Sequence, residues 1–188
     1  KEDVKDPNDQ LSRTRSRAFD ALNRLYQDIG AQNQTTTYAY DANGNLSTLT
    51  DAKANFTTYV YDDFDRLTQT IYADSTFEQY TYDPASNLLS LRTPNAALRA
   101  YTYDALHRLT QKVTPDETTT YTYDAGSRLL TATDADATLT YAYGPLNRVT
   151  TATTDPTGAL PPTTITYTYD GLGNRLRLAV DYGLPTVD

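Results

Sequence analysis

The sequence has no cysteine, no methionine, no tryptophan and a single histidine, His107. Without cysteine there is no disulfide framework, no thiolate nucleophile and no Cys-based metal site. One histidine excludes a His-rich zinc cluster and any paired-histidine mechanism. Basic residues are outnumbered: 16 Lys and Arg stand against 24 Asp and Glu, for a net charge of -8. That sign argues against a phosphate-tracking surface, so nucleic acid is not an expected partner. No apolar run approaches the length of a membrane span, so membrane insertion is not expected, and no signal peptide is seen. The 188 residues suggest one domain or at most two small ones. The chain begins at Lys1 rather than Met and reads as a piece excised from something longer.

Aliphatic residues are scarce as well. Leu, Ile, Val and Phe together make 34 residues, or 18%, a level that usually warns of disorder. Against this stand 17 Tyr and 34 Thr, both strand-favouring, and each Tyr brings a large apolar ring. The composition therefore points to β structure in which tyrosine does the packing.

A Tyr-x-Tyr tripeptide recurs at Tyr38/Tyr40, Tyr59/Tyr61, Tyr80/Tyr82, Tyr101/Tyr103, Tyr121/Tyr123, Tyr141/Tyr143 and Tyr167/Tyr169, in steps of 21, 21, 21, 20, 20 and 26 residues. A degenerate copy precedes them, with Arg17 and Phe19 in the aromatic slots. Such self-similarity is the signature of a repeat architecture. Asp follows the second aromatic at Asp20, Asp41, Asp62, Asp83, Asp104, Asp124 and Asp170, with Gly144 the exception. Three residues past that position stand Asn23, Gly44, Asp65, Ser86, His107, Ser127, Asn147 and Gly173. Most of these are residue types that tolerate positive φ. Arg or Asn comes next (Arg24, Asn45, Arg66, Asn87, Arg108, Arg128, Arg148, Asn174), and a Leu or Val resumes the chain, one step late at Leu176 in the last copy.

That column order describes a hairpin loop: Asp opening a type I turn, then a left-handed residue forming a G1-type bulge. A second turn signal lies between the Leu and the next Tyr-x-Tyr, among them Asp51-Ala52, Pro94-Asn95, Asp134-Ala135 and Asp155-Pro156-Thr157-Gly158. Each repeat is thus two strands and two reversals. Tyr at i and i+2 places both rings on one strand face. The predicted fold is all-β: tandem antiparallel hairpin repeats of about 21 residues in a curled single-layer sheet, an arc or coil of a shell, since open sheets beyond ~10 strands tend to curl or close. Residues 1–16 are read as the flank of a preceding repeat, 17–178 as an array of about eight repeats, and 179–188 as a C-terminal flank.

The pattern Tyr-x-Tyr-Asp-x-x-Gly/Asn-Arg-Leu resembles the YD repeat of the Rhs family, with residues 169–176 and 103–109 near its consensus. The resemblance covers residues 17–178. That family includes bacterial polymorphic toxins, the B and C components of insecticidal toxin complexes, and teneurins. It implies a hollow β-sheet spiral that, in the bacterial members, encloses a C-terminal toxic domain. It therefore implies a structural scaffold in a secreted or surface-displayed bacterial protein, with the remaining repeats and the enclosed domain as partners. The alternative is an extracellular module that binds glycans or a cell-surface protein. The family core with its self-cleavage aspartates and variable toxin domain does not appear in this sequence.

No enzyme is expected. The aspartates recur as a translated column, which a turn explains, whereas catalysis needs one asymmetric constellation. His107 sits in the positive-φ column and has no signalled orienting partner. Asp41-Ala42-Asn43-Gly44-Asn45 lacks the distal Glu of a calcium loop. No catalytic, cofactor or metal residue is assigned. The arginine column is read as stacking on Tyr rings or pairing with the turn aspartates, and the Tyr ladder as packing. Unpaired strand edges at the ends would permit edge-to-edge self-association.

Overall fold

A computed structural model describes residues 2–5 and 11–183. The described residues are all-β, without a helix, and form two compact units. One comprises Lys1–Thr81 with Leu91–Ala97, and the other Tyr82–Ser90 with Leu98–Asp188. The first holds β1 (Glu2–Lys5), β2 (Leu11–Phe19), β3 (Leu25–Ile29), β4 (Thr35–Tyr40), β5 (Leu46–Thr50), β6 (Phe56–Tyr61), β7 (Leu67–Ile71) and most of β8 (Phe77–Tyr82). The residues of β9 (Leu88–Arg92) are divided between the units. The second holds β10 (Leu98–Tyr103), β11 (Leu109–Val113), β12 (Thr118–Tyr123), β13 (Leu129–Thr133), β14 (Ala137–Tyr143), β15 (Val149–Pro156), β16 (Thr163–Tyr169) and β17 (Arg175–Asp181). Within each unit every strand pairs antiparallel with the next in the chain.

The loop has one geometry in all eight copies, the seven led by Asp and the one led by Gly144. The N–H three residues past its first residue donates to that residue's carbonyl, and the first residue's N–H donates to the carbonyl four residues on. At Asp104 these bonds come from His107 N–H and go to Arg108 O, both at 3.0 Å. The residue at the third position is left-handed every time, from φ 57° at Asp65 to 97° at Gly44. The extra residue shifts the register just before seven of these loops, as between Thr102 and Tyr103, which is the bulge.

The opposite turns explain the uneven period. Turns opening at Gly30, Asp51, Tyr72 and Thr93 repeat the bulged geometry, with Asn33, Ala54, Ser75 and Ala96 left-handed. Those opening at Thr114 and Asp134 close one residue sooner, on Glu117 and Ala137. These shorter turns lie in the two 20-residue steps. The longest step differs from its sequence reading. Asp155 and Pro156 are paired strand residues, opposite Thr138 and Ala137, and the loop begins at Thr157. The reason is cross-strand pairing: β14 starts early, so its partner β15 extends with it.

Alternation is regular on the Tyr-x-Tyr strands. The middle residues Ala39, Val60, Thr81, Thr102, Thr122, Ala142 and Thr168 are exposed, and all fourteen flanking rings are half-buried. Among the described residues no apolar residue is buried, and the buried ones are Asp28, Thr70 and Thr119. Stability must come from partial burial spread over many residues and from polar contacts between neighbouring strands.

Candidate functional site: the joint between repeats

The recurring site is the joint that fastens one hairpin to the next. It begins with the loop carboxylate. Asp104 Oδ1 accepts from the N–H of Leu106 (2.9 Å) and of Arg108 (3.0 Å), and Oδ2 accepts from Arg108 Nε (2.7 Å). The same three bonds recur at Asp20 and Asp62 with Arg24 and Arg66. They recur at Asp124 with Arg128. At Asp41, Asp83 and Asp170 an Asn amide takes the guanidinium's place. Bonding to the ionised form holds these carboxyls below the usual carboxylate range. The side-chain donor is the leading cause at Asp62, Asp83, Asp104 and Asp170, and the backbone N–H of Arg24 and Arg128 at Asp20 and Asp124.

The arginine then reaches forward. Its guanidinium lies over the second tyrosine of the following repeat: Arg24 over Tyr40 at 4.5 Å, Arg108 over Tyr123 at 4.9 Å, Arg128 over Tyr143 at 4.7 Å and Arg148 over Tyr169 at 4.6 Å. It also bonds the next loop, Arg108 Nη1 to Ser127 Oγ (3.3 Å) and Arg128 Nη1 to Asn147 Oδ1 (2.8 Å). In the Asn copies, Asn45 Nδ2 donates to Asp65 Oδ1 (2.7 Å), and Asn87 Nδ2 lies 2.9 Å from His107 Nδ1. An amide nitrogen can only donate, so this contact is a hydrogen bond in the tautomer that leaves Nδ1 of His107 without a proton. Gly173 closes the column. Its φ is +96°, and Arg148 Nη1 stands 2.6 Å from where a Cβ would be.

The tyrosine reaches backward. Hydroxyls donate to a carbonyl of the preceding repeat: Tyr40 to Leu25 O (2.7 Å), Tyr61 to Leu46 O (3.0 Å), Tyr103 to Leu88 O (3.0 Å), Tyr123 to Leu109 O (2.9 Å), Tyr143 to Leu129 O (2.8 Å) and Tyr169 to Val149 O (2.8 Å). Partial burial raises the hydroxyl pKa of Tyr61, Tyr103 and Tyr143. The fullest joints, from Asp20, Asp104 and Asp124, thus combine a carboxylate-clamped loop, a stacked cation and a hydroxyl on backbone, and in the Asn copies an amide replaces the cation.

The first tyrosine of each pair lies two residues away on the same strand face and has a different role. Tyr80 donates to Glu78 Oε2 (2.6 Å), and burial with that carboxylate pushes its pKa up to about 12. Tyr141 packs on Tyr143, centroids 6.5 Å apart. The recurring ring contact is therefore arginine on tyrosine rather than tyrosine on tyrosine. Sequence reasoning missed the carbonyl acceptors, because a backbone oxygen has no sequence signature. It also missed the first copy's substitute for rings: Asp28, 8% exposed, is bonded by Arg15 Nε (2.8 Å) and Nη2 and faces Arg17 across the strands.

Among the described residues no group of three or more His, Cys, Asp or Glu is arranged to hold a metal ion, and no helix is long and apolar enough to cross a membrane. A polar cavity of about 810 Å³ lies beside Asp28, bounded by Arg15, Gln34, Thr36 and Tyr38. Its buried carboxylate is already engaged by Arg15.

These features define a class: a tandem β-hairpin repeat protein in which a polar joint recurs from copy to copy. The RHS Repeat family model matches residues 6–55, 61–98, 82–119 and 103–139, more than half of the sequence, and the chain belongs to that family. Among solved structures it is similar in fold to the crystal structure of TcdB2-TccC3-Cdc42 (TM-score 0.74, 21% identity, 92% of this chain and 12% of that one). It is also similar to TcdB2-TccC3 without its hypervariable C-terminal region (0.73, 20% identity, 92% and 12%). The Tc holotoxin pore of Photorhabdus luminescens matches at TM-score 0.66 and 24% identity, over 78% of this chain and 9% of that one. The chain thus spans about an eighth of the first two. No curated protein matches the sequence.

Proposed function

We propose that this chain is a wall segment of a shell, in which the hairpin repeats of a longer bacterial protein enclose a C-terminal toxin or effector domain. The chain acts by shape and cohesion and is not an enzyme. The observation that carries this reading is the recurrence of the same joint: a copy-to-copy fastener suits an extended surface, whereas a reaction centre needs unlike environments brought together once. Similarity in fold to toxin-complex structures supports it, and with it a secreted setting. Limited proteolysis of the parent protein tests it. The region after the repeats should resist protease while the joints are intact and become sensitive when Tyr103→Ala and Tyr123→Ala loosen the wall. Equal sensitivity with and without those substitutions would contradict enclosure. A saturable glycan ligand on a glycan array would favour the adhesion reading instead.

A further inference from the structure

The loop tips carry a second pattern with twice the period of the first. Two residues past the loop opening, the tips read Leu22, Asn43, Phe64, Ala85, Leu106, Gly126, Leu146 and Leu172. Bulky and small residues alternate over seven consecutive loops. The leucine tips project outward: Leu106 is 65% exposed and Leu146 is 63% exposed, whereas Phe64 carries the Arg66 guanidinium over its ring at 5.1 Å. The loop does not require them either, since Gly126 and Ala85 donate the same N–H to their aspartates that Leu106 does.

In the second unit the loops at 83–87, 104–108, 124–128 and 144–148 stand side by side, linked by Asn87 to His107, Arg108 to Ser127 and Arg128 to Asn147. Each repeat adds two strands, so neighbouring tips are spaced by roughly 10 Å. The row is small, bulky, small, bulky. Within these four, a two-fold axis between the second and third loops places each bulky tip opposite a small one, Leu106 against Gly126 and Leu146 against Ala85, in both directions at once, while Leu172 on the unit's fifth loop lies outside the matched set. Such self-matching is the condition for an isologous interface. Charge agrees with it. These four loops carry three Asp and three Arg, a neutral strip on a chain of net charge -8. A neutral strip meets its own copy without repulsion and offers nothing to a strongly charged partner.

We propose that this edge takes a second copy of the chain, with Leu106 seated over the partner's Gly126 and Leu146 over the partner's Ala85. Each tip leucine offers on the order of 100 Å² of apolar surface. With its flanking turns the interface falls at the small, transient end, and dimerisation sets in at roughly 0.1–1 mM.

Sedimentation of the full chain up to about 1 mM tests this, with circular dichroism melts to show that each variant is folded. Leu106→Asn with Leu146→Asn, which copies the tip at Asn43, should give a monomer. Gly126→Leu alone, which sets leucine against leucine, should weaken association about tenfold or more, the scale of a point change at a small interface. Exchanging the two tips, Leu106→Gly with Gly126→Leu, should restore it. A wild-type chain that stays monomeric overturns the proposal. So does Gly126→Leu associating as strongly as wild type, which would indicate general stickiness or strand pairing at the ends. A folded exchange variant that fails to recover overturns the two-fold pairing as well.

Discussion

Replacing Tyr103 by Phe removes one oxygen and leaves the ring in place. In the joint that oxygen donates to Leu88 O at 3.0 Å, across the boundary between two repeats. A typical intramolecular hydrogen bond contributes about 0.5–1.5 kcal/mol net, and a partly buried carbonyl left without its donor adds a desolvation cost. The Leu88 carbonyl can recover water in part, because Tyr103 is only half-buried. The expected loss is therefore about 1–2 kcal/mol. For a chain of this size that lowers Tm by roughly 2–8 °C. Tyr101→Phe is the control. It is the same change, two residues away on the same face of β10, at a hydroxyl with no hydrogen-bond partner among the described residues, and should stay within about 0.5 kcal/mol of wild type. Chemical denaturation of both variants, with the slope checked for constancy, reads the difference. Equal midpoints would refute the idea that the second tyrosine fastens repeats through its hydroxyl.

Acid should destabilise the fold and so should strong base, with a plateau between. The loop carboxyls have lowered folded pKa values, so their contribution is complete above the unfolded range near ~4 and is lost as pH falls through the folded values. Tyr61, Tyr80, Tyr103 and Tyr143 have raised values, so theirs is complete below ~10 and lost as pH rises, for Tyr80 through about 12. A Tm that declined steadily between about pH 5 and 9 would contradict both assignments. Ala54→Gly and Ala96→Gly should each stabilise by about 0.5 kcal/mol, since a left-handed alanine costs ~1–2 kcal/mol and the glycine's extra unfolded-state entropy offsets only part of the relief. Their φ values are 63° and 65°, and unchanged melts would show those turns relax at no cost. Tyr182→Ala, at a ring 62% exposed outside the register, should cost under ~0.5 kcal/mol, against ~2–4 kcal/mol for Tyr103→Ala by the same melt.

Much of the repeat is legible in the sequence because backbone constraints leave residue-type signatures. Asn23, Gly44, Asp65 and His107 share little chemistry, yet all sit at positive φ, and their column identified the bulged loop. The arginine column was legible as either stacking or ion pairing, and Arg24, Arg108 and Arg128 do both at once. What stayed hidden depends on partners that composition does not encode. The carbonyl of Leu88 that receives Tyr103 is one such case, and the pairing of Asp155 with Thr138 is another, where cross-strand extension overrode a strong turn signal. The Asp28–Arg15 pair belongs to the same group. Arg17 in an aromatic slot signalled a degenerate copy, but nothing local indicated that a buried carboxylate would face it.

If cohesion is passed from repeat to repeat by equivalent joints, one whole period should be dispensable. Deleting residues 46–66 joins Asn45 to Leu67, so an Asp-led loop meets the strand that normally follows such a loop. Nearest-neighbour stability predicts that the shortened chain keeps its β circular dichroism signal per residue and melts cooperatively, with its midpoint only modestly lowered. Loss of the β signal or of the cooperative melt would show that the fold depends on one particular set of contacts rather than on a repeated joint.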